Sequence, residues 1–180
     1  TVLAVSKSVV EALRHFATPR SIEVLGRKFR AGPNSLRMDV LDSLEAIATD
    51  EVLPVLVEAL SFPQIALRDR AAKVLSNLGR SGKVDTARTV VWLLRSRDVN
   101  VRRMAVDIAR QVGDRTNALW PRMLGMLRDE DWWVRERVMD ALVEIAGEQL
   151  TRHLVGMLED PSDIVRRFAI GSLNRIRDPK

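Results

Sequence analysis

The chain has 180 residues, with 29 Lys and Arg, 24 Asp and Glu, a net charge of +5 and a pI of about 10.4. It has no cysteine, which excludes disulfides and thiolate metal sites and favours a reducing compartment. No apolar run is long enough to span a bilayer and no signal-peptide pattern is present, so we expect a cytoplasmic location. The positive charge raises the question of nucleic acid, but it is spread along the chain without a basic block.

The first predicted helix covers residues 5–17, where apolar residues recur at helical spacing. Thr18-Pro19 is predicted to begin the second helix, because proline in the first turn costs no hydrogen bond. That helix should run to about Arg30 and end before Gly32-Pro33. Ser35 is the predicted N-cap of the third helix.

The next two helices are predicted near 50–61 and 65–78, with a turn at 61–63 between them and Gly79 as the C-cap glycine. Pro54 and Pro121 share one early-helix register. Asp178-Pro179 repeats the register of Thr18-Pro19, so we expect this chain to be a fragment of a longer protein. The predicted units are a partial repeat at 5–17 and full repeats at 18–48, 49–79, 80–113, 114–147 and 148–178.

A recurring pattern relates these units. An apolar residue followed by arginine begins every second helix of a full repeat, and apolar residues follow four, eight and eleven positions later. The openers are Leu36-Arg37, Leu67-Arg68, Val101-Arg102, Val134-Arg135 and Val165-Arg166. A regular period of 31 to 34 residues predicts an all-α fold, an α-solenoid of stacked antiparallel helix pairs in one repeat domain.

The layout resembles the HEAT-like repeats of the phycobilisome-lyase (PBS-lyase) type, part of the armadillo-type α-solenoids. The best-matching stretches are Leu94 to Gly113, Leu127 to Gly147 and Leu158 to Ile176. The resemblance implies that the arginine after valine pairs with a turn carboxylate of its own repeat, here Asp98, Asp131 or Asp163. It is specific for fold and implies no lyase activity, because the repeat is a scaffold reused for many partners.

The arginine ladder is the most regular polar feature of the sequence. We define it as Arg37, Arg68, Arg102, Arg135 and Arg166. Phosphate binding is one interpretation. A structural role is favoured, in which each arginine bridges the turn of its own or a neighbouring repeat by a forked hydrogen bond, because a solenoid needs the same contact in every repeat.

Second helices line the concave face in related solenoids, and their exposed positions carry mixed charge here. Asp42, Asp107 and Asp140 share a register that would repel a DNA backbone. Nearer the helix starts, the C-terminal half carries basic and large apolar residues: Arg103, Met104, Arg137, Arg167 and Phe168. The alternatives are a protein-binding groove and an ordinary solvated face.

Four tryptophans complete the candidate residues. Trp120 falls at a core register, and Trp92 at an exposed one. Trp132 and Trp133 lie at a turn, where they predict either a binding hot spot or a cap on the core between repeats.

No catalytic, metal-binding or cofactor-binding pattern is present. His15 and His153 lack partners at ligand spacing, and no phosphate loop or nucleophile motif occurs. We therefore predict a non-catalytic protein-interaction or scaffold module of a bacterial protein, with no cofactor and no membrane partner. The alternatives are a nucleic-acid-binding domain that grips the backbone as HEAT-like DNA glycosylases do, or a regulatory module attached to an enzyme. Val9, Val10, Phe16, Phe168 and Ile170 predict self-association through apolar chain ends.

Overall fold

The computed structural model describes residues 2–113 and 119–177, and the side chains of these residues apart from 146–149 and 176–177. It is all-α, as predicted, and every described regular element is a helix. The helices are α1 (Val2–Leu13), α2 (Pro19–Ala31), α3 (Asn34–Ile47), α4 (Leu53–Ala59), α5 (Ile65–Ser81), α6 (Ala87–Leu93), α7 (Val99–Val112), α8 (Leu119–Gly125), α9 (Trp132–Met157) and α10 (Asp163–Arg177). Short 3-10 turns at Asp50–Val52 and Met126–Arg128 adjoin α4 and α8.

The chain divides into two compact units, residues 1–89 and residues 90–180. In the first unit, the second helices α1, α3 and α5 pack side by side, while α2 packs on α3 and α4 on α5. Leu25, Phe29, Val40, Leu44 and Leu56 are fully buried between these layers. The unit is therefore a set of antiparallel helix pairs that share one continuous core, as the repeat predicted.

The second unit repeats this arrangement. Its second helices are α7, the first part of α9, and α10, which pack in that order, and α8 packs on α9. Ala105, Ala109, Val138 and Leu142 are fully buried at the predicted apolar registers. The small residue at Ala105 lets neighbouring helices approach closely.

Capping residues explain where several helices begin and end. Thr18 Oγ1 accepts a hydrogen bond from Ser21 N at 3.1 Å, with Pro19 in the first turn as predicted. Asp98 and Asp131 cap α7 and α9 by accepting from Asn100 N at 2.8 Å and Val134 N at 3.0 Å. Each cap satisfies a backbone donor that the helix itself leaves free.

Three predicted helix ends differ in the structure. Ser35 lies inside α3, which begins at Asn34 after Pro33, so it is not the N-cap. Gly79 is buried within α5, and the helix ends at Gly82, whose φ of 70° suits a glycine. A single helix, α9, continues through the predicted boundary between Gly147 and Glu148. No proline and no capping Ser, Thr or Asp occurs at that boundary to stop it.

Some predicted positions lie outside the described residues: Asp114, where the fourth repeat should begin, Asp178-Pro179, and the side chain of Ile176. At the predicted apolar ends, Val9, Phe16 and Ile170 are exposed, whereas Val10 and Phe168 are buried. Part of the surface expected to drive self-association is therefore already covered within each unit.

Candidate protein-binding surface

The arginine ladder ties each second helix to the end of the helix before it. Each guanidinium donates to two successive backbone carbonyls at that end. Arg135 Nη1 donates to Asp129 O at 2.7 Å and Glu130 O at 3.0 Å. Arg166 Nη1 makes the same pair of bonds to Asp160 O and Pro161 O. Apart from those of Phe29 and Arg30 in α2, these carbonyls lie in the turn before the second helix, so the ladder has a structural role in holding that turn.

Arg102 adds a buried ion pair to this pattern. Its Nε and Nη2 donate to the two carboxylate oxygens of Asp129 at 2.8 and 3.0 Å, and the two side chains are 8% and 9% exposed. Nη2 also reaches Glu130 at 3.0 Å. The hydrogen bonds with Asp129 raise the pKa of Arg102 above its ordinary value, so the guanidinium stays charged. Two repeats of the second unit are joined by this forked contact.

The carboxylate partners differ from those that the resemblance implied. Asp98 caps α7 and does not pair with Arg102, while Asp131 pairs with Arg103 and not with Arg135. Only Arg166 contacts the expected residue, with Nη2 3.4 Å from Asp163. The reason is geometric: Asp129 and Asp131 lie in the turn of one repeat but face α7 of the repeat before it.

Trp133 lies between two arginines on the face formed by α7, α9 and α10, which we call the second-helix face. The Cζ atoms of Arg103 and Arg137 are 5.6 and 5.1 Å from the centre of its ring. Arg103 is fixed by Asp131, to which Nη2 donates at 2.6 Å. This hydrogen bond lowers the pKa of the Asp131 carboxyl. The stack presents rigid aromatic and guanidinium groups at the surface.

Trp132 is 63% exposed, next to the half-buried Trp133. The predicted alternative, in which these rings cap the core, does not describe Trp132. Trp120 is buried at its predicted core register, and Trp92 is exposed to the same extent as Trp132. Of these rings, Trp132 is the one that stands beside the predicted charged residues.

Of the three aspartates that share one register, Asp42 and Asp140 each lie close to an arginine of the next second helix. In the first unit, Arg70 Nε donates to Asp42 at 2.7 Å, and Arg70 also pairs with Glu45. In the second unit, Asp140 lies 3.7 Å from Arg175. The negative charges of Asp42 and Asp140 are therefore partly neutralised by these arginines.

Asp107 has a different environment. It is half-buried on α7, and burial raises the pKa of its carboxyl, with Arg137 and Arg110 offsetting part of the effect. The carboxylate form is thus less favourable in the folded state than in the unfolded chain.

We expect Asp107→Asn to raise the melting temperature at neutral pH. A raised carboxyl pKa destabilises the fold above the ordinary titration range of aspartate, about pH 3.9, and this cost disappears as the pH falls through that range. The gain should therefore shrink toward zero in acid. Asp42→Asn is the matched control, because it removes the negative charge that pairs with Arg70 and should slightly lower stability at neutral pH. Thermal unfolding at several pH values measures both; a loss of stability in Asp107→Asn at pH 7 would contradict the expectation.

A cleft of about 280 Å³ lies between α9 and α10. Phe168, predicted as an exposed contact, is only 6% exposed and forms part of its floor, because the ring packs inward between the helices. Arg167 is largely exposed at the rim and pairs with Asp163, and Met104 is half-buried on α7. The structure thus places Asp140, Arg167 and Phe168 at one cleft, and Arg103, Asp107, Trp133 and Arg137 around the tryptophan stack.

Some partners were missed from the sequence. Asp129 and Asp160 carry the contacts of Arg102 and Arg128, and Arg175 faces Asp140. The missing signal was the offset between repeats: each carboxylate lies 27 to 35 residues from its arginine, so inspection of a single repeat cannot pair them.

Within the described residues, no group of three His, Asp or Glu side chains could hold a metal ion. The ring of His153 packs edge-on against Trp120 at 4.7 Å, a packing contact. Among residues 2–113 and 119–177, no helix combines the length and hydrophobicity that a membrane span requires.

Comparison with models of known protein families gives a match to most of the second unit. The family model described as HEAT repeats matches residues 87–174, which include α6 to α9 and most of α10. Residues 87–174 carry HEAT repeats. The resemblance drawn from the sequence is therefore confirmed, and the HEAT match coincides with most of the second unit.

Three solved structures are similar to the chain. One is an engineered protein, with a TM-score of 0.48, 19% identity, and coverage of 95% of this chain and 90% of that one. A second is an archaeal HEAT-like repeats protein from Thermococcus onnurineus NA1, with a TM-score of 0.49, 14% identity, and coverage of 96% of this chain and 79% of that one. A third is the complex of CpcE and CpcF of phycocyanin lyase from Nostoc sp. PCC7120, with a TM-score of 0.43, 18% identity, and coverage of 95% of this chain and 69% of that one. No curated protein matches the sequence.

Proposed function

We propose that this HEAT-repeat chain is a non-catalytic protein-interaction module that binds a protein partner on the second-helix face of its second unit. The observation that carries the proposal is the exposed Trp132 beside the Arg103–Trp133–Arg137 stack. Tryptophan and arginine are the residue types that contribute most to protein interfaces. A rigid stack loses little side-chain entropy on binding, which makes it suited to that role.

The charges of this face favour a protein over a polyanion. Arg103 is engaged by Asp131, Asp107 lies near Arg137, and Asp140 lies near Arg175. A nucleic-acid backbone would gain from the arginines but lose to the carboxylates beside them. A protein surface with both signs of charge can complement both.

Loss of one ring tests the surface. We expect Trp132→Ala to lose at least about 2 kcal/mol of affinity for the partner, a reduction of about 30-fold, because exposed tryptophans at interface centres are typical hot spots. Trp92→Ala is the matched control, since that ring is also 63% exposed but lies on the first helix α6. Tagged wild type and both variants would be used to recover partners from nuclease-treated lysate of the source cell, and binding to each identified protein would then be measured.

Recovery of the same proteins in equal amounts by all three forms would reject this surface. Retention on duplex DNA that survives moderate salt, and that Trp132→Ala does not weaken, would favour the nucleic-acid alternative. A catalytic domain elsewhere in the parent protein, bound by the wild type through Trp132, would make the module a regulatory one.

A further inference from the structure

The cleft between α9 and α10 has two walls of opposite charge. Glu136 and Asp140 line it from α9, whereas Arg167 and Arg175 line it from α10. Asp140 and Arg175 are 3.7 Å apart across it, and Arg167 forms an ion pair with Asp163 on its own helix. Among the described residues Glu136 has no ion-pair partner, and its side chain is exposed. The acidic wall therefore has a carboxylate available to a ligand.

The floor between these walls is apolar. It is formed by the buried Phe168 and the half-buried Met139. A Cβ placed on Gly171 would meet nothing within 4 Å, so another chain can approach the α10 backbone there. The volume of about 280 Å³ is at the lower end for small-molecule sites, which suits a side chain of a peptide better than a cofactor.

We propose that this cleft binds a peptide segment of the partner with one apolar residue between a basic and an acidic residue. The apolar side chain lies on Phe168 and Met139, the basic one faces Glu136 and Asp140, and the acidic one faces Arg167 and Arg175. A segment with only one sign of charge would satisfy one wall and be repelled by the other. This inference rests on the proposed function, because Glu136 is one helical turn from Trp132 on α9.

A side chain added at Gly171 tests the cleft directly. Gly171→Leu would occupy the opening, and it should not unfold the protein because leucine is the better helix former at an exposed site. Gly156→Leu is the matched control: that glycine is also exposed and helical with nothing within 4 Å of a Cβ, but it does not line the cleft. Thermal unfolding of both variants establishes that they are folded.

The probes are three fluorescein-labelled peptides of equal length with a central leucine. One has lysine on one side and glutamate on the other, one has only lysines and one has only glutamates. We expect the mixed peptide to bind the wild type most tightly by fluorescence anisotropy. Gly171→Leu should weaken it at least about tenfold and Gly156→Leu should leave it unchanged. Glu136→Lys should weaken the mixed peptide and strengthen the all-glutamate peptide.

Equal binding of the three peptides, absence of binding by all of them, or unchanged binding by Gly171→Leu would overturn the inference. These results leave the proposed function standing if Trp132→Ala still loses its protein partner. If Trp132→Ala still binds every partner while Gly171→Leu blocks the mixed peptide, the proposed surface at Trp132 is rejected and the peptide site in the cleft is supported.

Discussion

We expect Arg102→Met to lower the free energy of unfolding of the second unit by about 3–5 kcal/mol. The substitution keeps most of the buried stem but removes both hydrogen bonds to Asp129, whose side chain is 9% exposed. Asp129 is then left as a buried charge without its counter-ion, and this is the main source of the loss. Chemical denaturation followed by the circular dichroism of the helices measures it.

Two further variants separate the ion pair from the ladder. Arg135→Met removes bonds to two carbonyls without leaving a buried carboxylate behind, so it should cost only about 1–3 kcal/mol. Arg102→Met combined with Asp129→Leu should recover much of the loss, because an apolar pair often replaces a buried ion pair at little cost. A double variant less stable than Arg102→Met alone would show that Asp129 stabilises the fold by a different route.

The ladder shows how far sequence reasoning reaches. Arg102 and Arg135 could be assigned a structural role because the same residue recurs at the same register in every repeat. Their carboxylate partners could not, because Asp98 and Asp131 lie nearby in the sequence but face other groups, as caps and as a partner of Arg103. The residue spacing within one repeat gives no information about which side chains meet between two neighbouring repeats.

Helix ends were predicted less well than helix positions. Gly79 and Gly82 are both close to the end of α5, and only the backbone conformation, left-handed at Gly82, distinguishes the one that ends the helix. The continuation of α9 through Gly147 shows that a glycine at the repeat register does not by itself end a helix. A period predicts where a helix should be, whereas local residues decide where it stops.

The candidate surface was predicted in composition but not in detail. Trp133 and Arg137 lie four residues apart on α9, so their proximity follows from helical periodicity, whereas the approach of Arg103 from α7 does not. The burial of Phe168 does not, because the same register is occupied by residues of different size and exposure in other repeats. The cleft at Gly171 exists because side chains leave a space between α9 and α10, and a residue pattern does not predict such a space.

Ala105→Asp should destabilise the second unit by several kcal/mol, enough to unfold it or to lower its melting temperature by well over 10 °C. Ala105 is 0% exposed on α7, which packs against α9. A carboxylate there would enter the buried side of α7, where Val101 and Ala109, one turn away on either side, are also buried. The unit could keep its fold only by protonating the group or by opening the helix packing.

Position-matched controls make this result specific to burial. Ala12→Asp makes the same change on an exposed helical site of α1, and its stability should stay within about 0.5 kcal/mol of the wild type. Ala71→Asp, at the equivalent buried register of α5, should be as damaging as Ala105→Asp, but in the first unit. Hydrogen exchange should therefore lose protection first in α7 and α9 for Ala105→Asp, and in α3 and α5 for Ala71→Asp. Near-normal melting of Ala105→Asp would show that position 105 does not take the small, close-packed place that the repeat register assigns to it.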